Sequence, residues 1–380
     1  MYLVREEETS LFELVHKREA LALIGPRQAG KTTLAKRLLE QWVAQGREGQ
    51  YIDLEAVNAP ANAEELQKAI SKTARGGLVV LDEVQAAQGW VRAVREEIEN
   101  KRRQIIISGS SAKLLSSEVA TSLAGRAMPQ TILPLSYSNA RAWGVKTLEQ
   151  YMKGGGYPEC VLNPADAPKL HRLYFELTVL RDVSIRHNIR ETKALSDLAV
   201  LLLSESAKTI STKKTSHALG ISPPTLRSFA HALADAYLVL PVLPFLRSPR
   251  ERIVADAKYY AMDVGMQKTI SISQSDDFGR RCENLIAIEL KRRGYELSYL
   301  RGDGWECDFI AQAYGRPALA IQVWSGDEKK PPQREIGGLL KGMKGAKAGG
   351  LLLSYQDAEV AVGGFEVKKI EDWLLEGAKP

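Results

Sequence analysis

An α/β protein with a parallel sheet in its N-terminal part is predicted by three features of the sequence. Ala20-Leu21-Ala22-Leu23-Ile24, Leu78-Val79-Val80-Leu81 and Ile105-Ile106-Ile107 are short continuous apolar runs, the pattern of strands buried on both faces. The first enters a glycine loop, the second ends in Asp82-Glu83, and the third ends in Ser108-Gly109. Strands that each finish in small or acidic residues place those residues along one edge of a sheet. The chain has 380 residues, which accommodates two or more domains at about 100–200 residues each.

Composition narrows the classes. With 44% hydrophobic and 26% charged residues, disorder and collagen-like structure are excluded. No apolar stretch approaches the roughly 18 residues of a membrane helix, so no membrane partner is expected. Met1 to Glu8 carries Arg5 and three glutamates with no apolar run behind them, unlike a secretory signal. Cys160, Cys282 and Cys307 lie far apart without metal-ligand spacing, which fits a reducing cytoplasm and excludes zinc fingers and disulfide scaffolds. The 52 basic against 46 acidic residues, net +6, permit nucleic-acid contact without requiring it.

The first element is the most specific. Gly25-Pro26-Arg27-Gln28-Ala29-Gly30-Lys31-Thr32 matches G-x-x-x-x-G-K-[ST], with an apolar strand ahead and Leu34, Leu38, Leu39 and Trp42 at helical spacing behind, up to a stop at Gly46. Gly25 and Gly30 let backbone N–H groups, including those of Gln28, Ala29, Thr32 and Thr33, face phosphates at the positive end of a helix. Lys31 is placed to bridge the β- and γ-phosphates, and the Thr32 hydroxyl to ligate Mg²⁺. The second element, Leu78 to Glu83, is a Walker B strand: Asp82 would hold the Mg²⁺ shell and Glu83 would polarise the attacking water. Together they predict binding and hydrolysis of ATP with Mg²⁺. At the third strand, Ser108 either senses the γ-phosphate or belongs to a serine turn capping a following helix.

These motifs occur in order with Leu-Asp-Glu-Val-Gln (81–85), Ser-Gly-Ser-Ser (108–111), Leu-Ala-Gly-Arg (123–126), Leu-Pro-Leu-Ser (133–136), Gly-Gly-Tyr-Pro-Glu (155–159) and Arg181-Asp182. Over essentially its whole length the chain resembles the prokaryotic AAA-type ATPases that carry a C-terminal domain of unknown function with a nuclease-like fold. The resemblance implies a P-loop ATPase core at 1–145, a helical lid at 146–196, a winged helix at 197–265 and a restriction-endonuclease-like α/β domain at 279–380. It also implies a homo-oligomeric ring in which Arg126 reaches a neighbour's γ-phosphate, a task suited to a permanently charged guanidinium. The alternative for Arg126 is a salt bridge. Gly155, Gly156 and Pro158 resemble the lid motif that packs over the nucleotide, or else form a tight turn between helices.

In the middle segment, Leu198, Leu201, Leu202 and Leu203 mark one helix, Lys213 to Leu219 a second, and Ser222 caps a third whose stripe is Leu226, Phe229, Leu233 and Tyr237. Strands at 237–240 and 258–261 would form the wing. Between Lys208 and Lys258 stand eight Lys/Arg and three acids. Lys213, Lys214 and Arg227, with Arg247, Arg250 and Arg252 at the wing tip, are the candidate DNA contacts. If about four phosphates are met, log K falls against log salt with a slope near −3.6. A protein-docking role would use the same module.

The last hundred residues suggest a helix at 279–293, strands at 295–300, 307–313 and 318–324, a helix at 333–343 and a strand at 351–353. The order resembles the restriction-endonuclease core, whose site needs a helix glutamate, an aspartate and Glu-x-Lys. Glu283 and Asp308 match the first two, but the third reads Gln322-Val323-Trp324. Gln322 is a neutral ligand for hard Mg²⁺ and Trp324 supplies no positive charge, so no cleavage is expected. The leading functional expectation is an ATP-driven DNA-remodelling motor, similar in parts to branch-migration ATPases, with a nucleotide-dependent regulatory or defence switch as the alternative.

Overall fold

The structure is a computed structural model that describes residues 3–17, 20–100, 102–110, 123, 127–246, 248–272, 277–326, 330–360 and 364–376. The chain is α/β and forms two units: residues 1–134 with 235–237, and residues 135–234 with 238–380.

In the first unit, β1 (Ala20–Ile24), β2 (Gly49–Asp53), β3 (Leu78–Asp82), β4 (Gln104–Gly109) and β5 (Ala127–Thr131) form a parallel sheet in the order β2-β3-β4-β1-β5. Helices α1 (Glu8–Lys17) and α2 (Lys31–Ala44) cover one face, and α3 (Ala63–Ile70) and α4 (Trp90–Glu99) the other. That is why every residue of β1 and β3 is buried and why these strands read as unbroken apolar runs. On α2, Leu34, Leu38 and Trp42 are buried as their spacing predicts, and the helix stops before Gly46, whose φ is 76°. Pro129 is tolerated in β5 because that strand is an edge.

The second unit opens with α5 (Tyr137–Ala142), α6 (Leu148–Gly154), α7 (Pro158–Leu162) and α8 (Ala167–Leu177), which leads into a π-helical stretch at Thr178–Ile185. Then follow α9 (Thr192–Ser204), β6 (Thr209–Ile210), α10 (Thr212–Ala218), α11 (Pro223–Asp235), β7 (Val239–Pro244), α12 (Pro249–Val254), β8 (Ala257–Ala261) and α13 (Val264–Ile270). Ser222 Oγ accepts from the Thr225 amide at 3.2 Å, the cap expected ahead of α11. The chain ends with α14 (Phe278–Arg292), β9 (Glu296–Gly302), β10 (Trp305–Gln312), β11 (Leu319–Trp324), α15 (Gln333–Ala346), β12 (Gly349–Ser354), β13 (Glu366–Lys369) and α16 (Ile370–Leu375).

Residues 197–265 and 279–380, expected as separate modules, share one sheet of order β13-β12-β11-β10-β9-β7-β8-β6. The join is made where Leu243 and Pro244 of β7 pair in parallel with Ser298 and Tyr299 of β9. β10 carries a register shift between Cys307 and Ile310, a bulge that re-aims the side chains around Asp308.

Candidate functional site

The N-terminal site is built from the carboxyl ends of β1, β3 and β4, where open α/β sheets place their ligands. β1 runs into the loop 25–30. Gly25 has φ 144°, and a side-chain Cβ there would stand 2.1 Å from the Ile132 carbonyl oxygen, so only glycine fits. Gly30 sits at φ 92° and Gln28, exposed, at φ 63°. Left-handed backbone at two positions folds the loop tightly onto the start of α2, whose first-turn amides and helix dipole favour an anion. Lys31 is only 4% exposed, and its ammonium donates to the carbonyls of Gly25 at 3.0 Å and Pro26 at 2.8 Å. Ala29 is buried behind the loop, Thr32 is half-buried and Thr33 exposed.

β4 lies between β1 and β3, which brings Ser108 against the end of β3. The Ser108 hydroxyl donates to Asp82 Oδ1, and its oxygen accepts the Glu83 amide at 3.1 Å. The other carboxylate oxygen of Asp82 accepts the Tyr51 hydroxyl at 2.6 Å. Burial, with Asp82 and its hydrogen bond next in effect, pushes that phenol well above its ordinary range. Glu83 takes φ 54°, a left-handed conformation uncommon for a residue with a side chain, as the strand turns into a short 3₁₀ turn at Val84–Ala86. Its carboxylate is half-buried and accepts from the side-chain Nε2 of Gln85. Such a conformation persists only where the surrounding structure holds it, and here β3 and the 3₁₀ turn do so.

The donor chemistry suits Mg²⁺. Thr32 and Asp82 supply hard oxygens, and among the described residues no trio of His, Cys, Asp or Glu forms a protein-only metal cage. A cation held by one carboxylate, a hydroxyl and substrate phosphates needs no such cage.

Other expected residues fall in different places. Arg126, the helix after Ser108 and Arg247 lie outside the described residues. Lys213, Lys214, Arg227 and Arg250 are exposed, and Arg252 lies on α12. Lys258, counted with the wing's charge, is not a surface cation: it is buried. Gly155 and Gly156 admit the Asp263 carboxylate, which accepts the Gly156 amide at 2.7 Å and the Met266 amide at 2.8 Å. A Cβ on Gly155 would stand 2.2 Å from that carboxylate, so these glycines serve a close approach within the second unit.

In the C-terminal region Glu283, Glu306, Asp308 and Gln322 line a cavity of about 610 Å³. The positive charge missing at position 324 is present at 258. The Lys258 ammonium, 3% exposed, donates to Glu283 at 3.0 Å and also to Glu306. Gln322 donates to Glu335 at 2.6 Å, and Trp324 packs with Ile310, Leu339 and Leu352. Burial raises the carboxyls of both Asp308 and Glu283, and the nearness of Glu283 raises Asp308 further. A raised acid makes the folded state hold a proton that the unfolded chain releases above about pH 4, so stability declines as pH climbs from there toward the folded value. Asp308→Asn is therefore expected to be more stable than the parent at pH 7 by on the order of 1–3 kcal/mol, and to flatten that decline. Urea denaturation at pH 5 and pH 7.5 measures both effects.

Three residues with site contacts gave no sequence signal: Arg5, Tyr51 and Lys258. Each lies far in sequence from its partners, and only the register of strands or the docking of α1 brings it in.

Residues 17–140 match the family described as AAA domain, and residues 145–276 match a domain of unknown function, DUF8612. The uncharacterized protein MJ1544 of Methanocaldococcus jannaschii is 32% identical over 321 residues, covering 77% of this chain and 70% of that protein. An uncharacterized protein of Haemophilus influenzae is 27% identical over 378 residues and 93% of each chain. Among solved structures, AMPPCP-bound DnaA from Aquifex aeolicus is similar over 61% of this chain and 89% of that one, at 11% identity and a TM-score of 0.32, too distant to carry an argument. By its 32% identity to MJ1544 and by the AAA-domain match over its phosphate loop and acidic strand, this chain belongs to one family with MJ1544 and carries within it an AAA domain of the P-loop ATPase type.

Proposed function

We propose that this chain hydrolyses ATP with Mg²⁺ and couples hydrolysis to contact with DNA, acting as a homo-oligomeric ring whose nuclease-like region cuts nothing. One observation supports the ATPase part above all: the loop 25–30, Lys31, Asp82, Glu83 and Ser108 converge at the ends of three adjacent strands. Lys31 exchanges its loop carbonyls for the β- and γ-phosphate oxygens. Thr32 and Asp82 hold Mg²⁺, which when bound neutralises triphosphate charge. Glu83 orients water and takes its proton as oxygen attacks the γ-phosphorus and the bond to the bridging oxygen breaks. Ser108, bonded to both Asp82 and the Glu83 amide, keeps the two acids in register.

The DNA part is supported by residues 192–261. Helix α9, strand β6, helices α10 and α11, and the antiparallel strands β7 and β8 follow the order a winged helix requires, with the short α12 inserted between β7 and β8; Lys213, Lys214 and Arg227 stand exposed on the module, as does Arg250 on α12. For the C-terminal cavity, the neutral Gln322, the core position of Trp324 and the resident ammonium of Lys258 support an inert site.

The test compares ATP turnover of the wild type and Glu83→Gln, alone and with linear, forked and four-way DNA. Wild-type turnover should rise with branched DNA. Glu83→Gln should bind ATP as before and turn over about 10²–10⁴-fold more slowly. Rates indifferent to every DNA, with tight retention of ADP, would place the chain among nucleotide-dependent switches instead.

A further inference from the structure

Arg5 stands in an unusual position for a charged residue so near the start of the chain. It is 4% exposed, and its guanidinium reaches across to the phosphate loop. One terminal nitrogen donates to the Ala29 carbonyl at 2.7 Å, and the other donates to the Leu133 carbonyl at 2.8 Å and to Glu7 at 3.3 Å. Among the described residues its buried Nε has no acceptor. The segment is fixed by α1, whose Leu11 and Val15 are buried in the cluster formed with Leu34, Leu38 and Trp42 of α2. Glu8, also buried, receives the Gln41 side chain and lies 3.9 Å from Arg37 Nε.

We infer that Arg5 is a positioning residue for the nucleotide: it sets the direction of the loop's amides and supplies a buried positive charge that the phosphates balance. This rests on the reading of the loop as an ATP site. The peptide group joining Ala29 to Gly30 is planar and trans, so its carbonyl and amide point in opposite directions. A guanidinium fixed on the carbonyl of Ala29 turns the Gly30 N–H the opposite way, away from Arg5. A cation on the carbonyl also polarises the peptide and strengthens the bond its amide donates. The tie to Leu133 holds the loop to the segment after β5, next to Ile132, whose carbonyl lies against Gly25. Arg5 thus cross-links both ends of the loop's surroundings, and among the described residues its charge is met by the carboxylate of Glu7, 30% exposed.

The experiment titrates Mg-ATP and Mg-ADP by calorimetry into the full-length wild type, Arg5→Lys and Arg5→Gln, and records the melting temperature of each without and with nucleotide. The expected order of affinity is wild type, then Arg5→Lys, then Arg5→Gln. The loss in Arg5→Gln should reach about tenfold or more for ATP and be smaller for ADP, which carries less charge. The melting shift produced by ATP should shrink in the same order. Unchanged dissociation constants in both variants, with only a lower melting temperature before nucleotide is added, would overturn the assignment and leave Arg5 a structural brace. A wild type that binds neither nucleotide overturns the ATP reading itself, a different outcome from variants that match a binding wild type.

Discussion

Lys31→Ala should lose detectable ATP binding. In the folded chain the Lys31 ammonium is buried on two carbonyls of its own loop, and no neutral side chain can replace its charge toward a triphosphate. Charge-assisted hydrogen bonds contribute roughly 1.5–3 kcal/mol each. Losing two of them weakens binding by about 3–5 kcal/mol, or 10²–10³-fold and more. The same variant leaves the Gly25 and Pro26 carbonyls without this donor, so a modest fall in melting temperature without nucleotide is expected as well. Calorimetry with Mg-ATP decides the matter, with Lys31→Arg as a control that keeps charge but not shape. Affinity for ATP within threefold of the wild type in Lys31→Ala would remove the loop from nucleotide binding.

Lys258→Met should cost about 3–5 kcal/mol of stability, the range for breaking a buried ion pair by deleting one partner. Glu283 is held by Lys258 and by the Tyr260 hydroxyl at 2.7 Å, and Asp308 is buried beside them. Removing the ammonium leaves these acids facing one another without a counter-charge. A second substitution, Glu283→Gln, should recover part of the loss, because it deletes the charge that was left alone. Urea unfolding of the parent, both single variants and the double variant measures the coupling. A loss below about 0.5 kcal/mol in Lys258→Met would show that the pair is solvated and contributes little.

Much of the first unit was legible because its central strands follow a simple rule. β1, β3 and β4 are covered on both faces, so their sequences become continuous apolar runs, and the loop and acids that end them could be placed by spacing alone. The edge strands escaped that reading. Gly49–Asp53 and Ala127–Thr131 are half-covered and hold glycine, proline, glutamine and threonine, so no apolar run announces them. In the C-terminal region the helices and strands from α14 to β12 follow the expected order to within a few residues, since each has a clear period, whereas β13 and α16 were not anticipated. The cavity's positive charge was not legible in the sequence. Trp324 stands where β11 would carry the lysine, and the ammonium comes instead from β8, on the far side of β10, β9 and β7 in the sheet order.

Local sequence therefore determined the loop, the helix behind it, the acidic strand end and the break in the nuclease pattern, because each of these depends on residues close together in the chain. Tertiary structure alone decided which distant groups meet them: Tyr51 on Asp82, Arg5 on Ala29, and Lys258 between Glu283 and Glu306. The reason is physical. A backbone conformation is set by neighbours within a turn, but burying a charge or a phenol demands a partner wherever the folded chain can supply one.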